Sequence, residues 1–177
     1  MTNPFLNMAS NIKLIALDFD GVLTDGSLYI DSKGNQLKKF DVKDGMGIKL
    51  LQNYGLHIAL ISGSKNNIIS KRARSLNIKL VYKGIANKLI TLKRIQKKLG
   101  IEPSQTIFLG DDINDLLVLT AVKMFVCPSD AHLACFEKAQ WIGNSKGGEG
   151  FVREFTDLFL SALNKDIYLP FVTTNDD

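Results

Sequence analysis

No apolar run in this chain approaches the ~20 residues of a membrane-spanning helix. The first eleven residues also lack the basic-then-apolar order of a secretory leader. Neither a membrane protein nor a secreted one is expected. Cysteine is scarce, with only Cys127 and Cys135. In the absence of a leader these read as free thiols of a reducing cytoplasm rather than as a disulfide. No second Cys/His pair accompanies them, so they make no metal motif. Dense basic runs and aromatic-basic interleaving are missing too, which argues against nucleic acid as a partner. Repeats and low-complexity tracts are absent. What remains is 177 residues, 45% hydrophobic and 23% charged, enough for one ordinary domain with a sizeable core. The formal charge of +4 fits lysines spread over helix faces and would also suit an anionic substrate.

Nine residues organise the rest: Asp18-Phe19-Asp20-Gly21-Val22-Leu23-Thr24-Asp25-Gly26. They follow the aliphatic run 13–17, which reads as a buried parallel strand. At the alternating period Asp18 and Asp20 share a side, and keeping both ionised requires a cation or a proton between them. Two β-prone runs around Asp31-Ser32-Lys33-Gly34-Asn35 predict a hairpin over 27–40, with Leu28, Ile30, Leu37 and Phe40 as its apolar surface. A helix follows Asp44-Gly45 and stops at Gly55. Strands are then predicted at 57–62, 79–82, 106–110, 124–127 and 140–142. Helices are predicted at 66–77, 87–99 and 113–122, and a last one carries Phe151, Val152, Phe155, Leu158, Phe159 and Ala162 inward. Such alternation predicts an α/β fold with a doubly wound parallel sheet. The domain spans 1–177, with 164–177 as a loose C-terminal tail.

Ligands of such sheets bind at the carboxyl ends of the strands. Those ends supply Asp18 and Asp20, then Ser62-Gly63, then Lys88 beyond Gly84, then Gly110-Asp111-Asp112 with Asp115. Acids, a hydroxyl and an amine gathered at one edge suit phosphoryl transfer to a carboxylate. Asp18, Asp111 and a backbone carbonyl would hold a hard, oxygen-liganded magnesium ion, and Asp20 is counted in that metal set. Asp18 is the candidate nucleophile. Asp20 is the candidate acid and base for the leaving group and the water. Ser62 and Lys88 would take the remaining phosphoryl oxygens. Asp112 reads as the N-cap of the 113–122 helix, and Asp115 as a support for the metal or Lys88.

These residues resemble the four motifs of the haloacid dehalogenase superfamily phosphatases. The closer likeness runs from about Lys13 to Phe159. It is to the branch that dephosphorylates 3-deoxy-D-manno-octulosonate 8-phosphate (KDO 8-phosphate). Asp25-Gly26, Phe40-Asp41-Val42-Lys43-Asp44-Gly45, Ala131-His132 and Gly150-Phe151-Val152-Arg153-Glu154 carry that likeness. It implies a Rossmann-like fold without a cap domain, in which the 27–40 hairpin packs against other subunits of a homotetramer. It also implies a magnesium-dependent enzyme of lipopolysaccharide synthesis in a Gram-negative cytoplasm. The expected substrate-binding set is Gly21, Asp25, Gly63, Ser64, Lys65, Lys43, Asp44 and Glu149.

Two positions depart from the branch. Ser64 stands where arginine usually follows the Ser/Thr-Gly, and Glu149 stands where Gly-Gly-Arg-Gly is usual. The second pattern resembles relatives acting on nine-carbon sugar acids, which keeps a sugar-acid 9-phosphate open as an alternative. A phosphoacceptor receiver domain also combines acids, a hydroxyl and a lysine, but receivers carry the acceptor after the third strand. Here it follows the first.

Overall fold

The structure is a computed structural model and describes residues 3–165; most of the tail foreseen at 164–177 lies outside them. Strand β1 (Leu14–Leu17) is buried at every position. After the loop 18–28 come β2 (Tyr29–Ile30) and β3 (Gln36–Leu37), then α1 (Val42–Asn53), β4 (His57–Ile61), α2 (Asn67–Ser75), β5 (Leu80–Tyr82) and α3 (Lys88–Leu99). The second half holds β6 (Thr106–Leu109), β7 (Met124–Cys127), α4 (Leu133–Lys138), β8 (Trp141–Ile142) and α5 (Phe151–Ala162). Six strands form one sheet in the order β5-β4-β1-β6-β7-β8, with every pairing parallel. This is the expected doubly wound α/β arrangement, with β1 inside the sheet.

Alternation along β1 divides the core. Leu14 and Ala16 face one hydrophobic cluster with Leu92, Ile95, Phe108 and Phe125. Ile15 and Leu17 face the other with Ile48, Leu51, Phe155 and Phe159. On the second face α1 and α5 cross closely because Gly47 carries no side chain there. A Cβ at Gly47 would stand 3.2 Å from the Arg153 Cα. The N-terminal Phe5 closes that side, edge-on to Trp141, Phe155 and Phe159.

Ends of helices follow the expected chemistry. Asn66 and Asn87 cap α2 and α3 through their side chains, accepting from Ile68 and Ile90. Gly55 follows α1 at φ +82°, a left-handed conformation that suits glycine. The predicted helix 113–122 is instead a 3-10 helix, Asp115–Ala121, with Asn114 as its N-cap. Asp112 is therefore not that cap. Asp115 turns inward to bind the amides of Asp111 and Asp112, so residues 111–114 wrap around it as a turn. Three further elements, α4 and 3-10 turns at Ala9–Asn11 and Pro103–Gln105, have no counterpart in the sequence reading.

Between β1 and α1 the described chain inserts only the antiparallel β2–β3 hairpin, paired Tyr29 to Leu37 and Ile30 to Gln36. Its turn is wound around Asp31, whose carboxylate accepts from the amides of Lys33 and Asn35. Leu28, Tyr29, Ile30 and Leu37 are exposed. Phe40, expected on the hairpin surface, departs from that reading. It is edge-on to Phe19 at 5.6 Å, beneath the Arg72 guanidinium, and is only partly exposed.

Candidate active site

At the carboxyl end of β1 the ladder continues one residue further, the Asp18 amide donating to the Leu109 carbonyl. The chain then turns back, with the Leu23 and Thr24 amides both donating to Phe19. Gly21 sits at φ +76°, and a Cβ there would lie 1.9 Å from the Asp111 carboxylate. No larger residue fits between the two loops. Gly147 and Gly148 clasp the same turn from the other side. A Cβ on Gly147 would lie 1.8 Å from the Gly21 carbonyl, and the Gly148 amide donates to Val22.

Lys88, the first residue of α3, reaches into this edge and is fully buried. Its Nζ lies 2.9 Å from Asp18 Oδ2 and also donates to Asp115 Oδ1. Asp115 is spent, since its other oxygen accepts from the Asp111 amide at 3.0 Å and from the Asp112 amide. By contrast, Asp18 Oδ1 and Asp111 Oδ1 are buried with no hydrogen-bond partner. Carboxylate oxygens of Asp18, Asp111 and Asp115 lie within 4.8 Å of one another. Three acids thus share one ammonium.

The titration of the group follows. Burial, and then the Asp115 charge, pushes Asp18 up to about 7 despite Lys88. Burial and the Asp18 and Asp115 charges push Asp111 up to about 8. Asp115 is also raised, by burial working against Lys88. For Lys88 burial acts downward, but the attraction of Asp18 and Asp115 outweighs it and the net shift is upward. A divalent cation between Asp18 and Asp111 would use both orphaned oxygens and supply the missing positive charge. The residues fit a magnesium ion. Asp115, committed on both oxygens, serves as their support. The Asp20 carboxylate stands outside the cluster of Asp18, Asp111 and Asp115.

A cleft of about 280 Å³ opens beside these groups, lined by Asp18, Asp20, Gly21, Ser62, Asp111 and Asn114 among others. Ser62 is buried and accepts from the Ser64 amide; since Asn66 caps α2, Ser62 is not spent as a helix cap. Gly63 and Ser64 line the same cleft. Asp20 pairs with Lys38, whose side chain is only 7% exposed, and accepts weakly from Thr24 Oγ1. Lys38 was missed. It lies eighteen residues away, just past the return strand of the hairpin, where no local pattern marks it as part of a site.

Five residues of the expected substrate set are not in this cleft lining; one is Lys65, whose side chain lies against Gly84. Asp44 is buried beneath α5, where its carboxylate accepts from the Gly150 and Arg153 amides. It acts as a cap for a helix more than a hundred residues on, and burial lifts it to about 6. Lys43 is exposed in the first turn of α1 and is not in the cleft lining. Asp25 turns its carboxylate onto the Ser27 amide. Glu149 forms an ion pair with Lys39 at 2.7 Å, so the negative charge on this glycine loop is matched within the chain.

Comparison with known proteins agrees with this geometry. A sequence model of the haloacid dehalogenase-like hydrolase family matches residues 57–155. The 3-deoxy-D-manno-octulosonate 8-phosphate phosphatase of Escherichia coli K12 is 39% identical over 157 residues, covering 89% of this chain and 84% of that one. The crystal structure of the enzyme of that name from Yersinia pestis superposes with a TM-score of 0.89 at 36% identity, covering 93% and 89% of the two chains. That from Moraxella catarrhalis, solved with magnesium, phosphate and KDO, gives 0.90 at 33% identity, covering 98% and 99%. The chain belongs to the haloacid dehalogenase-like hydrolases, in the family of the 3-deoxy-D-manno-octulosonate 8-phosphate phosphatases.

Proposed function

We propose that this protein is a magnesium-dependent phosphatase that cleaves KDO 8-phosphate to KDO and phosphate, by way of an aspartyl-phosphate on Asp18. The observation that carries the reading is the pair of orphaned oxygens on Asp18 and Asp111 beside a buried Lys88. The relatives at 38–39% identity bear that substrate in their name. A receiver-like reading has no support in the family. Glu149, the reason for considering a nine-carbon substrate, is neutralised by Lys39 and not in the cleft lining.

A magnesium ion, when bound by Asp18 and Asp111, offsets the charge of the substrate phosphoryl group. Asp18 Oδ2, the oxygen not given to the cation, attacks phosphorus as the ester bond to the sugar oxygen breaks. Lys88 holds Asp18 in line and meets a phosphoryl oxygen as charge shifts onto it. Ser62 presents its hydroxyl from the next strand. Asp20 gives its proton to the departing alkoxide, then takes one from the water that hydrolyses the aspartyl-phosphate. Both halves need Asp20 to change partners, because in this structure Lys38 occupies it.

The protein is read as a cytoplasmic one; no described helix is long and apolar enough to cross a membrane. The exposed Leu28, Ile30 and Leu37 put more apolar surface on a two-stranded ribbon than an isolated one sustains. A homotetramer assembled through that hairpin is part of the same reading.

Three outcomes test it. Phosphate release from KDO 8-phosphate is expected with magnesium and none with excess chelator, and Asp18→Asn is expected to be inert. Full activity in chelator, or a variant within tenfold of wild type, would end the assignment. Asp20→Asn is expected to lose ~10²–10⁴ in kcat on the sugar phosphate, whose leaving group needs a proton. It is expected to lose much less on p-nitrophenyl phosphate; equal losses would remove Asp20 as the acid. Sedimentation is expected to show a tetramer, and an active monomer would contradict assembly through the hairpin.

A further inference from the structure

Three carboxylates from separate parts of the chain hold the loop 143–150 by its backbone. Glu154 accepts from the Asn144 and Ser145 amides, Asp130 from the Gly147 amide at 3.0 Å, and Asp44 from the Gly150 amide at 3.3 Å. Gly150 opens α5 with no side chain to cap it, and Asp44 supplies that cap from α1, where it is fully buried. Capping alone does not call for a buried carboxylate, since Asn66 and Asn87 serve α2 and α3 as neutral amides.

The other face of this loop presses on the turn that carries Asp20. A Cβ on Gly148 would stand 2.3 Å from the Thr24 carbonyl carbon. Thr24 is fully buried, and its hydroxyl accepts from the Gly21 and Gly26 amides and donates to Asp20 Oδ1 at 3.4 Å. Lys38 and Thr24 are the hydrogen-bond partners of the Asp20 carboxylate among the described residues. When Lys38 gives way for the acid–base steps, Thr24 is the partner that stays. A bond of that length orients a carboxylate only if Thr24 is itself fixed, and the glycine loop is what lies against it.

We propose that Asp44 and Asp130 are positioning residues for the acid–base work of Asp20, acting through loop 147–150 and Thr24. Neither touches the substrate. Each fixes one end of the short loop that backs the Asp20 turn. This rests on the phosphatase reading above, in which Asp20 protonates the departing alkoxide.

The test compares kcat on KDO 8-phosphate with kcat on p-nitrophenyl phosphate, whose leaving group needs little protonation. Asp44→Asn and Asp130→Ala are each expected to lower kcat on the sugar phosphate roughly tenfold, the scale of a misplaced catalytic group, with KM little changed. Both are expected to spare p-nitrophenyl phosphate, whereas loss of folded protein would lower both rates alike. In an Asp20→Asn background neither change is expected to cost anything further on the sugar phosphate. Asp157→Asn, which removes the exposed partner of Arg153 on α5 and leaves the loop alone, is expected to match wild type on both substrates. Asp130 lies on an exposed turn, so Asp130→Ala decides the matter on the same readouts if Asp44→Asn does not fold. Equal losses on the two substrates, or losses that add in full to those of Asp20→Asn, overturn the positioning role while the phosphatase reading stands. A wild type inert on KDO 8-phosphate, or an Asp20→Asn variant that loses equally on both substrates, overturns the reading beneath it and this inference too.

Discussion

Lys88 brings one positive charge into a buried space where Asp18, Asp111 and Asp115 bring three carboxylates. Charges in such a place are costly unless paired and hydrogen-bonded, and one lysine cannot pair with three acids. The imbalance appears in the raised titration of Asp18 and Asp111 and in the oxygen each leaves without a donor. A site made only for stability would replace one of those acids. Retaining them makes the fold a receptor for a cation and, beyond it, for a phosphoryl group.

The rest of the molecule serves that arrangement. The parallel sheet aligns the ends of β1, β4 and β6, so Asp18, Ser62 and Asp111 meet although each lies some fifty residues from the next. Gly21 and Gly147 allow loops to approach within distances that any side chain would prevent. The hairpin contributes twice, through neighbouring lysines. Lys38 enters the site to meet Asp20, while Lys39 stays at the rim to neutralise Glu149. A short insert therefore supplies charge to both Asp20 and the glycine loop.

Much of this was legible in the chain, and the failures share a cause. Asp18, Asp20, Ser62, Lys88 and Asp111 follow strand ends or open helices, so local periodicity with the rule of carboxyl-end ligands placed them together. A parallel, doubly wound sheet was legible from alternation alone. The partners of Asp44 are the amides opening α5, and nothing near it in sequence reports a contact across the helix pair. Lys38 was invisible for the same reason. Asp112 was read as a cap on local rules, but Asp115 turns inward and takes the amides that would have set the helix start. Phe40 looked like exposed apolar surface until its contact with Phe19 accounted for it.

The central claim is that the buried acids are incomplete without a cation, and the pH dependence of magnesium stabilisation tests it directly. Asp18 and Asp111 have folded values near 7 and 8, above the 3.8 of a free carboxyl. In chelator their contribution to stability is therefore greatest at low pH. It is lost as the pH rises from about 4 through about 8, because the unfolded chain ionises first. A cation needs both groups ionised, so its added stability grows over the upper part of the same range and levels off above about 8. The account predicts that the rise in Tm on adding magnesium increases steadily from pH 5.5 to pH 8.5, a window of roughly three pH units around those values. A rise in Tm that is the same at every pH, or that shrinks as the pH increases, would contradict it.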